Sequence, residues 1–164
     1  MLFKPGDRVV HPTYGVGDIV RLEERQLAEA STRLYYVLAA DRSTVWIPVD
    51  APAGLRRLTS PHDLDKCRAL LQSRPAPLNA DHRERRQLIG ESLKTGSFQT
   101  LCEIVRDLAA FGWRKPLGDA DATLLNRARE SLCREWAAAA RVSPEAASAE
   151  IGALLLKARQ TFAA

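Results

Sequence analysis

Side chains able to move a proton, bind a metal or hold a phosphate are few in this chain, and their spacing assembles no active site. The three histidines, His11, His62 and His82, fall in three different segments. HRERR at 82–86 does not place two histidines one helical turn apart, as a zinc-binding HExxH helix requires. Cys67, Cys102 and Cys133 are far apart, odd in number and without a CxxC pair. They read as small apolar core residues rather than as a disulfide or zinc framework. Gly15-Val16-Gly17 is not GxGxxG and opens no helix, so it reads as a hairpin turn and not a dinucleotide loop. No catalytic, cofactor-binding or metal-binding residue is assigned, and no cofactor is expected.

Two stretches carry binding chemistry instead. In HRERRQ, residues 82–87, Arg83, Arg86 and Gln87 share one helical face that Lys94 extends, opposite Ile89 and Leu93. Such a row can track phosphates, while Asp81, Glu84 and Glu91 dilute its charge into that of an ordinary solvated face. Arg127 and Arg129 could extend the same surface. In TVWIPV, residues 44–49, a two-residue period puts Val45, Ile47 and Val49 on one face and Thr44, Trp46 and Pro48 on the other. With the valine face in the core, Trp46 points outward. Pro48 lacks a ladder donor and marks an open edge. An outward tryptophan on such an edge fits a docking surface, the alternative being a lid over the end of the sheet or a packing contact with a second domain.

The elements that must position these residues fall into two halves with different periods. Up to about residue 58, short β-type runs recur: Val9-Val10, Ile19-Val20, Leu34 to Leu38 and Thr44 to Val49. Pro12, Gly15 and Gly17 turn the first pair, and Asp41-Arg42-Ser43 turns the last. Runs at this spacing predict a small Tudor- or SH3-like bent β-barrel over residues 1–58.

From residue 59 the period becomes helical. Ser60-Pro61 starts a helix ending near Ser73, with Leu64, Cys67 and Leu71 inward. A second helix is expected over about 80–94 with Leu88, Ile89 and Leu93 as its apolar positions, and a third from Ser97 to Gly112. A fourth runs over about 119–141, and a last begins at Ser143-Pro144. The expected fold class is α+β, a small barrel followed by an all-helical bundle over 59–164.

Composition bounds the rest. The 164 residues are 46% hydrophobic and 27% charged, an ordinary folded balance. No secretion signal and no stretch near the roughly 20 apolar residues of a membrane span is seen, so a cytoplasmic location is expected. The net charge of +4 is spread thinly, 8 basic against 7 acidic residues up to position 58 and 16 against 13 after it. Counts of this kind do not establish a nucleic-acid partner.

Taken together, FKPGDRVVHPTYGVGDIV, YYVL, STVWIPVD and GLRRL resemble the amino-terminal module of the CarD/CdnL family of bacterial transcription factors, a Tudor-like module shared with the transcription-repair coupling factor. LDKCRALLQ, SLKTGSFQTLCEIVRDLA and LLNRARESL extend the resemblance over nearly the whole chain. It implies a non-enzymatic regulator, monomeric in its complex. Its β module would dock on the β-subunit lobe of RNA polymerase, and its helical domain would touch double-stranded promoter DNA at the upstream edge of the bubble.

Within that resemblance Arg25 takes the place of a polymerase-contacting arginine, and Trp46, beside Pro48, takes the other contact position, where some members carry arginine. His82 stands where the family usually has a wedge tryptophan, and Arg83, Arg85 and Arg86 keep its surroundings cationic, whereas an expected lysine is missing at Ala122. Histidine offers less apolar area to a broken base step. The alternatives are a divergent paralogue that holds DNA weakly and an adaptor whose β module binds another protein through Trp46.

Overall fold

The computed structural model describes residues 2–29 and 31–163. The chain divides into two compact units, Met1–Leu58 and Thr59–Ala164.

The first unit is one antiparallel sheet of five strands, β1 (Arg8–His11), β2 (Gly15–Arg25), β3 (Arg33–Ala40), β4 (Ser43–Pro48) and β5 (Arg56–Arg57). Their spatial order is β4-β3-β2-β1-β5, so the sheet is open, with β4 and β5 as its edges. The short strands of the expected barrel are present, but among the described residues no ladder joins the two edge strands. A register shift between Ile19 and Arg21 places a bulge in the long β2, and bulges bend a strand and raise its twist.

Glycine is needed at two points. Gly15 closes the β1–β2 turn at φ +76°, and at Gly17 an added Cβ would lie 2.7 Å from both the Ala39 carbonyl oxygen and Leu38 Cδ1, so β3 can approach only a bare backbone. The buried face gathers Phe3, Val9, Ile19, Tyr36, Leu38, Ile47 and Leu55. The Tyr36 hydroxyl accepts from the backbone N–H groups of Leu2 and Phe3 at 3.0 and 3.3 Å, which pins the amino-terminal segment across the core.

Among the described residues the second unit holds five helices, α1 (Pro61–Leu71), α2 (His82–Thr95), α3 (Phe98–Phe111), α4 (Asp119–Ala140) and α5 (Pro144–Phe162). Four begin on a side chain that accepts from their first free amides: Ser60, Asp81, Ser97 and Ser143. The fifth, α4, has Gly118 at its cap and relies on Asp119 and Asp121 in its first turn, where carboxylates oppose the positive end of the helix dipole.

Leu64, Leu71, Ile89, Val105, Leu108, Leu132 and Ile151 build the core around fully buried Trp136. The Trp136 indole N–H donates to Glu150, and the Arg68 guanidinium lies 5.6 Å from its ring. Cys67 and Cys102 are buried in this core. The hydrogen bond with Cys67 and burial together push the Cys102 thiol far above its ordinary range, favouring the protonated form.

One expected core position is corrected. Leu88 is 56% exposed, because α2 meets the rest of the unit along a narrow strip of Arg85, Ile89 and Leu93, and Leu88 is rotated off it. Gly90 stands in open space on the same helix.

Candidate functional site

On the sheet, the residues facing away from the core follow from the register. Trp46 pairs with Val37, Pro48 with Tyr35, Tyr35 with Glu23 and Arg33 with Arg25. Trp46 therefore lies opposite the Val45 and Ile47 face. It is half-buried rather than projecting, laid over β3, where Val37 is fully shielded.

The Arg25 guanidinium sits 4.5 Å from the Trp46 ring centroid, a cation–π contact that brings these two sequence-predicted residues into one cluster. Glu23 joins it: Arg21 donates at 2.8 Å, and Arg25 Nε lies 3.6 Å from its second oxygen. The Glu23 carboxyl is held below the usual carboxylate range, chiefly by the Arg21 hydrogen bond, with smaller help from the Trp46 indole N–H and the Arg25 charge. That indole nitrogen is inaccessible and makes no hydrogen bond of normal geometry, so its pull on Glu23 is a weak electrostatic one.

Pro48 lies on the edge strand β4. The Val49 N–H donates inward to the Leu34 carbonyl, so residues 46 and 48 turn their backbone groups outward. Proline at 48 leaves that outer row without a donor there, which limits edge-to-edge pairing and leaves side chains as the distinguishing chemistry.

In the helical unit, α2 starts with Asp81 accepting from the amides of Arg83 and Glu84 at 2.9 and 3.0 Å. These bonds hold the Asp81 carboxyl below its ordinary range. With the amides occupied, a phosphate at this end would be met by side chains. His82, Arg83 and Arg86 are exposed.

Arg85 is not. It is 6% exposed, pairs with Asp121 of α4 at 2.7 Å, donates to the Asn79 carbonyl at 2.8 Å, and lies 4.6 Å from the centroid of the Phe111 ring. The resemblance implied Arg85 among the cations around His82; its guanidinium is instead engaged inside the fold, tying α2, α3 and α4 together. Arg127 is exposed on α4, roughly 120° around the helix from Asp121 at 100° per residue.

The Arg85 contacts bring forward residues that helical periodicity does not select. Phe111 ends α3 and is 43% exposed, and Trp113 follows in the turn before Arg114 and Lys115. Neither aromatic belongs to the helical core or packs against it. The available signal was the pair of aromatics around Gly112 running directly into two cations, FGWRK, a composition that a closing turn does not require.

Residues 3–59 match the family described as the CarD-like/TRCF RID domain. Residues 66–152 match the CarD C-terminal domain. The chain belongs to the CarD family. YdeB, a candidate transcription factor of Bacillus subtilis (strain 168), is 27% identical over 137 residues, covering 82% of this chain and 90% of that protein. The CarD family is one of transcription factors, and this CarD-like chain carries both of its domains in order. None of its described helices is long and apolar enough to cross a membrane, and no group of His, Cys, Asp or Glu among the described residues is placed to hold a metal ion.

Proposed function

We propose that this CarD-like protein is a transcription regulator whose β unit docks on the β-subunit lobe of RNA polymerase and whose helical unit contacts promoter DNA at the upstream edge of the bubble. The observation that carries the reading is the pairing of a CarD-like/TRCF RID match on the sheet with a CarD C-terminal match on the helices. The cation–π cluster of Arg25 and Trp46 beside the open β4 edge is the docking face. On the helical side, exposed Arg83 and Arg86 hold phosphates. A factor of this kind shifts the closed-to-open equilibrium only by its differential affinity for the two states, so contacts made better in the opened complex stabilise it without catalysis or a cofactor.

The test is retention of polymerase from a bacterial extract by the wild-type chain, by Arg25→Glu and by Trp46→Ala, with circular dichroism confirming that all three are folded. Wild type retains the enzyme and both variants lose it; folded variants that retain it as well as wild type would remove this face from the reading. Burial of Arg85 favours a second version, a regulator that docks on polymerase but holds DNA weakly, since one of the expected cations is withdrawn. That version predicts little change in open-complex lifetime on adding the protein.

A further inference from the structure

The helical unit brings three helix ends together. Arg85, in the first turns of α2, touches Phe111 at the end of α3 and Asp121 at the start of α4, so the loop between α3 and α4 lies at the same end of the unit as His82. Four exposed cations are carried there, Arg83 and Arg86 on α2 and Arg114 and Lys115 in the loop, and none has an ion-pair partner among the described residues. Of the nearby acids Asp121 is neutralised by Arg85, while Asp81, holding the α2 amides, and Glu84, holding the Asn79 side chain, keep their charge beside Arg83 and Arg86, so the positive charge is clearest at Arg114 and Lys115.

The loop is folded back on itself. The amides of Gly112 and Trp113 bond the carbonyls of Ala109 and Ala110 at 3.2 and 3.1 Å, and the Leu117 Cγ comes within 3.2 Å of where a Gly112 Cβ would stand. Phe111 and Trp113 are thus held in place without being part of the core.

Aromatic faces set beside exposed cations are the arrangement that stacks unpaired bases while tracking the backbone. We propose that Phe111 and Trp113, with Arg114 and Lys115, form a base-stacking edge that prefers DNA with unpaired bases over intact duplex, making the α3–α4 loop the DNA-reading element of this chain. The inference rests on the reading of the helical unit as the DNA-contacting one. It places the stacking surface on the loop rather than on His82.

Fluorescence anisotropy at low salt would compare full-length wild type, Trp113→Ala, Trp113→Phe and His82→Ala on a labelled promoter fragment carrying a mismatched bubble and on its fully paired counterpart. Thermal melts establish that each variant is folded. Wild type prefers the bubble; Trp113→Ala loses about tenfold in affinity for it, an average stacking contribution, while Trp113→Phe and His82→Ala keep the preference. Wild-type preference that survives Trp113→Ala overturns this inference alone. Binding by wild type to neither fragment overturns both the inference and the DNA-contacting reading, and loss of polymerase retention by Trp113→Ala with unchanged DNA binding would reassign the loop to a protein partner.

Discussion

His11 shows how one side chain of the signature stretch works. Its Nδ1 accepts from the backbone amides of Thr13 and Tyr14 at 3.0 and 3.3 Å, its ring lies 4.9 Å from that of Tyr14, and it thereby shapes the β1–β2 turn. Accepting two amides requires a neutral Nδ1, and burial lowers the His11 pKa below the ordinary 6.5. A group whose folded pKa is depressed contributes stability that is present above the unfolded value and lost as pH falls through the folded one. Melting of the wild-type sheet is therefore expected to fall between pH 7 and 5 more steeply than that of His11→Asn, whose side-chain oxygen accepts without titrating. Parallel pH profiles of the two proteins would show that the turn does not depend on this acceptor. Histidine here is a turn residue, a role that spacing alone cannot separate from a ligand.

At the scale of elements, the junction of α2, α3 and α4 is the most constrained polar site. The Arg85–Asp121 pair is buried on both sides, and removing one partner of such a pair strands the other charge, at a cost of about 3–5 kcal/mol. Arg85→Ala is expected to lower the stability of the helical unit by that order in denaturant unfolding, and Arg85→Met combined with Asp121→Leu to recover most of it. A folded Arg85→Ala variant of near wild-type stability with lost DNA binding would return Arg85 to the ligand-facing row. The helices were legible because their caps are local: Ser60, Ser97 and Ser143 each satisfy an amide three residues on, and the sequence carries that signal without tertiary help. Arg85 was legible only in part: its spacing of four and eight from Ile89 and Leu93 puts it on the inward strip, but only Asp121, arriving on α4, lets a guanidinium be buried there.

Across the whole molecule the net charge of +4 is too small to act as a general polyanion attractor, so the proposed DNA contact has to rest on a few placed cations. Replacing Arg83 and Arg86 together by alanine is expected to weaken DNA binding about equally on all sequences and to flatten the log K against log salt slope by about one per cation removed. An unchanged slope would locate the phosphate contacts away from α2. The two units match the two domains of the family, the sheet one and the helices the other.

The sequence by itself determined the α+β class, the change of period near residue 58, the helix starts and the opposite faces of Val45 and Trp46, because periodicity, caps and turns are set by neighbours a few residues apart. Tertiary structure alone decided that the sheet stays open, that Arg25 lies over Trp46, that Arg85 is buried while Leu88 is not, and that Phe111 at the end of α3 meets Arg85 of α2. Those outcomes depend on which element packs against which, and burial of a long cationic side chain is decided by whether a carboxylate distant in sequence, here Asp121, arrives to meet it.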